Sequence, residues 1–193
     1  MQIQNLGFAW PGQPPLFSRL DLAVPPGVTW LGGDEGTGKT TLLRLMAGEL
    51  APRAGTVQAG GRVFWVNPRA DGCDGLTPGQ CFDRVARQHP ALDRALLHDL
   101  VHALDLAQHL PKRLDMLSTG SRRKVWLAAA FASGAALTLL DQPFAAVDKA
   151  SMGVITGLLQ EAATHPSRAW VVADHVAPAG VPLAAMIDLD AAS

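Results

Sequence analysis

Eight consecutive residues constrain this chain more than any others: Gly33-Asp34-Glu35-Gly36-Thr37-Gly38-Lys39-Thr40, followed by Thr41 and the apolar positions Leu42, Leu43, Leu45 and Met46. They meet the spacing G-x-x-x-x-G-K-[ST] at every position. Such a loop forms where backbone must turn tightly and bring many N–H groups close to a polyanion. Gly33, Gly36 and Gly38 carry no Cβ and can take positive φ, which permits both. Lys39 adds a point charge suited to β- and γ-phosphates, and the Thr40 hydroxyl is a ligand for Mg²⁺. The flanks agree. Val28 to Leu31 reads as a short buried strand, and Thr40 to Ala47 as a helix whose N-terminal N–H groups and dipole face an anion. Strand, loop and helix together imply a site for a nucleoside triphosphate.

At 193 residues the chain suits one domain with a sizeable core. Hydrophobic residues at 48% and charged residues at 17% exclude a disordered chain, and a net charge of -1 gives no footprint for nucleic acid or anionic lipid. Met1 to Leu6 lacks the basic and apolar segments of a secretion signal. The longest apolar stretch, Leu127 to Leu140, is shorter than the roughly 20 residues of a spanning helix. A soluble chain is expected, with any membrane role carried by a partner. Cys73 and Cys81 read as a reduced, incidental pair.

The N-terminal part, with turns at Pro11-Gly12 and Pro25-Pro26-Gly27, reads as short strands leading to the loop, and Trp10 stands at the first turn. Two more strands follow the loop helix, the second over Arg62 to Val66. Helical patterns then appear near Pro78 to Gln88 and Ala91 to Leu104, within an insert over approximately 67–116. After it come a helix from about Ser121 to Ser133, a strand from Leu137 to Leu140, a helix from Lys149 to Ala163 and a strand from Trp170 to Ala173. A last short strand is expected at Ile187 to Leu189. The alternation specifies an α/β core.

A second constellation lies in this half. Leu137 to Asp141 is an apolar strand ending in an acid, which in a phosphate-loop fold stands beside the loop and can hold Mg²⁺ through water. Before it, Leu117-Ser118-Thr119-Gly120-Ser121 opens a helix and offers a second anion-binding end, or an ordinary cap by Ser118 or Thr119.

In this order the motifs resemble those of ATP-binding cassette (ABC) ATPases, over nearly the whole chain. The resemblance implies an α/β P-loop NTPase core of ABC ATPase type with an antiparallel β subdomain and a short helical subdomain, in a single nucleotide-binding domain over 1–193. It implies that Trp10 stacks on adenine and that Gly33, Asp34, Glu35, Gly36, Thr37, Gly38, Lys39, Thr40 and Thr41 surround ATP. Thr40, Asn67 and Asp141 would surround Mg²⁺. Ser118, Thr119, Gly120 and Ser121 correspond to the LSGGQ signature, and Phe144 to Asp148 to the D-loop, with Asp148 at the nucleotide. Gln142 takes the catalytic-base position, His175 the switch position, and Lys39 the catalytic lysine. The short helical insert and the run Asp141-Gln142-Pro143-Phe144 are similar to small haem-exporter-type cassettes of cytochrome c maturation. The implied partners are a second ABC ATPase domain, identical or different, and a separate transmembrane permease subunit, with no nucleic acid. The implied location is cytoplasmic, peripheral at the inner face of the membrane.

The chain departs from the family pattern in its chemistry. Gln142 replaces a Glu; being neutral, it can position water but is a very poor general base. Slow or absent hydrolysis and a stable ATP-bound dimer are expected, whether the Gln is native or an introduced Glu→Gln change. Asn67 is one methylene shorter than the usual Gln, and Thr119 and Ser121 replace a Gly and a Gln. Asp34 and Glu35 bring two acids to a loop that holds an anion; they are tolerable only when turned to solvent. A degenerate ATP-sensing regulator, or a soluble ABC ATPase outside transport, is the alternative reading. Elsewhere, His98 and His102 read as a solvated helix face, Arg122-Arg123-Lys124 as an exposed face near the phosphates, and Trp30, Trp65, Trp126 and Trp170 as core.

Overall fold

In a computed structural model describing residues 1–66 and 72–190, the strands sort into two sheets. β1 (Gln2–Phe8), β2 (Phe17–Ala23) and β4 (Ala54–Gln58) form a three-stranded antiparallel sheet with β1 in the middle. β3 (Gly27–Gly32), β5 (Val63–Phe64), β6 (Leu137–Asp141), β7 (Ala169–Ala173) and β8 (Ala185–Asp188) form a parallel sheet in the order β5-β6-β7-β3-β8. The helices are α1 (Lys39–Met46), α2 (Pro78–Gln88), α3 (Arg94–Ala103), α4 (Thr119–Ala132) and α5 (Lys149–Ala163).

The parallel sheet is covered on both faces, and its side chains alternate accordingly. On β7, Val171 and Ala173 face one apolar cluster with Leu31, Leu42, Leu43, Leu137 and Leu139. Trp170 and Val172 face the other, with Val125, Ala128, Phe131, Ile155 and Leu159. The first cluster joins the sheet to α1 and the antiparallel strands; the second joins it to α4 and α5. Leu42 and Leu43 are 0% exposed, so truncating either to Ala would cost roughly 2–5 kcal/mol and loosen α1 on the sheet.

Local chemistry sets the helix ends. Thr77 and Gln80 form a reciprocal capping box at the start of α2, and Pro78 stands in its first turn. Asp93, Ser118 and Asp148 cap α3, α4 and α5 with their side chains. Between β5 and α4 the described chain is helical, with α2 and α3 followed by 3₁₀ turns at Ala107–His109 and Leu114–Met116. Among the described residues, no helix is long and apolar enough to cross a membrane.

Strand register decides which loops meet. Leu31 pairs with Ala173, and Asp141 pairs with the same Ala173. The residues after these positions therefore emerge side by side at the carboxyl edge of the sheet, where ligands bind in parallel α/β folds.

Candidate functional site

The carboxyl ends of β3, β6 and β7 open onto a polar cleft of about 440 Å³. Its floor is the start of α1, with Gly36, Gly38, Lys39, Thr40 and Thr41. Trp10 and Arg44 stand on one wall, Asp141, Gln142 and His175 on another, and Glu35 and Arg123 complete the lining. A tighter groove of about 90 Å³, mostly apolar, lies beyond Arg123 between Phe64, Val66, Trp126 and Pro143. The polar cleft gathers the ionisable groups, so the chemistry belongs there.

Residues 33–38 curl around the lysine. Lys39 Nζ donates to the carbonyl oxygens of Gly33 at 2.5 Å and Asp34 at 2.7 Å, and the residue is only 8% exposed. The Thr37 hydroxyl donates to the Asp34 carbonyl at 3.0 Å. Gly36 has φ 88°, and a Cβ there would meet nothing within 4 Å. Its glycine is required by the turn, and the space over it is open. Gly38, at φ 101°, stands at the N-cap of α1, where a Cβ would press on Phe17 and Leu16. Asp34 and Glu35 are both exposed. The Asp34 N–H donates to both carboxylate oxygens of Asp190, at 3.1 and 2.9 Å, which secures the loop from behind β8.

Thr40 Oγ1 donates to Asp141 Oδ2 at 2.7 Å. A hydroxyl and a carboxylate in contact beside a lysine form a hard oxygen set, which fits Mg²⁺ held together with phosphate oxygens. Asn67, expected in the same set, lies outside the described residues.

Gln142 has φ 49°, a left-handed conformation rare outside glycine and asparagine. Its N–H donates to the Ala173 carbonyl at 2.8 Å, which ties it to the end of β7. His175 is exposed, and its N–H donates to Asp174 Oδ1 at 2.8 Å. Trp10 meets Phe8 edge to face at 5.2 Å, and the Arg44 guanidinium lies 5.7 Å from the Trp10 ring centre.

Ser118, Thr119, Gly120, Ser121 and Asp148 do not line this cleft in the same chain. Ser118 Oγ accepts from the Ser121 N–H at 3.1 Å, an N-cap, and lies 3.0 Å from Ser121 Oγ. His109 Nε2 is 3.3 Å from Ser121 Oγ, and burial, then Lys112 and Lys124, lower the pKa of that imidazole. A Cβ on Gly120 would run into the Ala146 carbonyl oxygen, so only glycine fits between α4 and the turn after β6. The Asp148 carboxylate caps α5. The Ser151 N–H, the Ser151 hydroxyl and Lys124 hold its pKa far below the usual carboxylate range.

One sequence expectation is corrected. Arg122-Arg123-Lys124 is not an exposed face: Lys124 is 7% exposed and paired with Asp148, Arg122 is paired with Asp74, and Arg123 is half-buried. Both partners are distant in sequence, so helical spacing gives no sign of them. Arg123 does line the cleft, as its expected place near the phosphates implies, whereas Arg44 is a cleft residue that sequence reasoning left out. Arg44 falls on the cleft side of α1, a placement its position after the loop could have signalled. His98 and His102 stand with ring centres 4.8 Å apart on an exposed face of α3.

The sequence profile of the family described as ABC transporter matches residues 17–145. The cytochrome c biogenesis ATP-binding export protein CcmA of Sphingopyxis alaskensis is 35% identical over 169 residues, covering 84% of this chain and 83% of that protein. The intermembrane phospholipid transport system ATP-binding protein MlaF of Escherichia coli K12 is 33% identical over 184 residues, covering 84% and 68%. In fold, the chain is similar to a solved Pyrococcus furiosus chain assigned as an ABC transporter ATP-binding protein, with TM-score 0.78, 20% identity and coverage of 98% and 97%.

Proposed function

The chain belongs to the ABC transporter family as an ATP-binding subunit, and on that premise we propose that it closes as an ATP-sandwich dimer on a separate membrane permease, with hydrolysis held slow by Gln142. The observation that carries this reading is the convergence of Trp10, Lys39, Thr40, Asp141, Gln142 and His175 on one cleft.

Each part has a physical task. Trp10 offers a ring face to the base. The N–H groups of the 33–38 loop and the start of α1 meet the phosphates, and Lys39 neutralises charge between them. Thr40 and Asp141 would hold Mg²⁺, which when bound screens the phosphate oxygens. Gln142 hydrogen-bonds an attacking water and orients it. Its amide takes no proton at neutral pH, so this chain lacks the base that its family places there. His175, exposed at the cleft, reaches the transferred phosphate from the β7 side.

The second half of the site comes from another ABC domain, identical or different. Ser118 and Gly120 lie outside their own chain's cleft, which supports their meeting a partner's nucleotide. The whole chain then acts as one nucleotide-binding domain, with the segment 67–116 as its helical subdomain. The permease places it at the cytoplasmic face of the membrane. The two relatives above, 35% and 33% identical, serve different transport systems, so the permease rather than the cassette sets the cargo. Gln142 also supports a second reading, an ATP-sensing regulator that binds and closes without turnover. Light scattering with and without MgATP, on chain purified from membranes with its bound proteins, tests the proposal. ATP-dependent dimers together with a co-purifying integral membrane protein are expected; a chain that stays monomeric in ATP and brings no membrane protein would contradict it.

A further inference from the structure

Residues 122–124, near the start of α4, fasten three elements. Arg122 pairs with Asp74 ahead of α2, Lys124 pairs with Asp148 at the start of α5, and Arg123 reaches the turn after β6. Arg123 differs from its neighbours in what it holds. Its NH1 donates to the carbonyl oxygens of Gln142 and Ala145, at 2.7 Å each. These contacts span 19 and 22 residues and join the helix behind the signature to the turn that carries the catalytic-base position. Arg123 also lines both the polar cleft and the apolar groove, so it forms part of the wall between them.

The turn that it holds has an unusual backbone. Gln142 and Ala146 both have positive φ, 49° and 59°, and side-chain-bearing residues persist there only when their surroundings over-determine the conformation. Two backbone contacts help: the Gln142 N–H donates to Ala173, and the Gln142 carbonyl accepts from the Ala145 N–H at 3.1 Å. The Gln142 carbonyl is thus shared between Ala145 and Arg123. A guanidinium is planar and permanently charged, with several donors in a fixed fork, which suits a pair of neighbouring carbonyls better than a lysine ammonium does. Burial lowers the Arg123 pKa, and the carboxylates of Asp141 and Asp174 oppose that shift. The cation therefore stays in place beside the cleft.

We propose that Arg123 is a positioning residue for nucleotide hydrolysis: by gripping the carbonyls of Gln142 and Ala145 it fixes the side chain at position 142 over the cleft and makes that turn follow α4. The proposal rests on the ATPase reading of the cleft. Arg123 NH1 is engaged by the carbonyls of the turn, so the role assigned to it is the geometry of position 142.

The test has two arms. In the first, backbone hydrogen exchange is followed in the unaltered chain and in Arg123→Met. Faster exchange confined to 142–147, with 33–41 unchanged, is expected, and no change at 142–147 would overturn the proposal whatever the protein's activity. In the second, turnover is measured in a Gln142→Glu background. Adding Arg123→Met is expected to lower kcat roughly 100-fold with KM unchanged, the size of loss that follows a misplacement of about 1 Å. Arg123→Lys keeps the charge but not the fork and is expected to recover little; full recovery with Lys would overturn the proposal, because charge alone would then suffice. Failure of the ATPase reading looks different, since the Gln142→Glu chain would itself be inert while the exchange arm still reports on Arg123.

Discussion

Thr40 Oγ1 donates a 2.7 Å hydrogen bond to Asp141 Oδ2, joining residues 101 apart in sequence. The bond ties the helix after the glycine loop to the strand that ends in the acid. Each residue belongs to a motif legible by itself, and their contact makes one oxygen-rich site of the two.

Breaking this pair should affect magnesium before it affects the nucleotide. Thr40→Val and Asp141→Asn are expected to weaken nucleotide binding in Mg²⁺ by at least roughly tenfold. Binding in EDTA should change far less, because the loop N–H groups and Lys39 remain. Titration of a fluorescent ATP analogue with and without Mg²⁺ checks this.

Trp10 is 37% exposed, lines the cleft beside Arg44 and is braced by Phe8. Stacking of a base on that ring is worth roughly 0.5–1.5 kcal/mol, so Trp10→Ala should raise the Kd for ATP and ADP alike by about 2- to 12-fold. Trp10→Phe should retain most of the affinity. Equal effects on ATP and ADP would place the ring at the base and not at the phosphates.

Much of the fold follows from local rules. Pro78–Gln88 and Lys149–Ala163 are legible from their helical patterns, and the structure adds the caps at their starts, Thr77 with Gln80 and Asp148. The β6 and β7 strands are legible as short apolar runs between breaks, and the glycine loop as a spacing. What local rules miss is contact made across the chain. Arg123 on the Gln142 turn, Lys124 on Asp148 and Asp190 on the Asp34 N–H each join segments that no periodicity relates. The same limit explains why a run of three basic residues reads as a solvated face while Lys124 is buried.

Stability should fall on mild acidification. His89 is 8% exposed, and its pKa lies below 6.5 because burial, and then Arg62, disfavour the charged ring; burial lowers those of His109 and His165 as well. The unfolded imidazoles take up protons at a higher pH than the folded ones, so their contribution is present above about 6.5 and is lost as pH falls below it. Thermal melts from pH 8 to pH 5 should show a falling Tm, and His89→Gln should flatten that slope if the variant folds. A Tm that rises toward pH 5 would contradict this.

Asp148 acts in a more acid window. Its folded pKa is depressed, so the stability it gives α5 is present above the usual carboxylate range and is lost only as pH falls through and below that range. Asp148→Ala should lower Tm by a few degrees at pH 7 and by less at pH 2, where the unfolded carboxylate is already protonated while the folded cap still resists protonation.

MgATP turnover by the purified chain beside its Gln142→Glu variant, with oligomeric state followed in the same samples, decides what position 142 does. The unaltered chain is expected to dimerise in ATP but turn over slowly or not at all, and the Glu variant to hydrolyse and return to monomer. If the unaltered chain hydrolyses as fast as the Glu variant, or if neither binds ATP, the role given to position 142 and to the cleft around it is wrong.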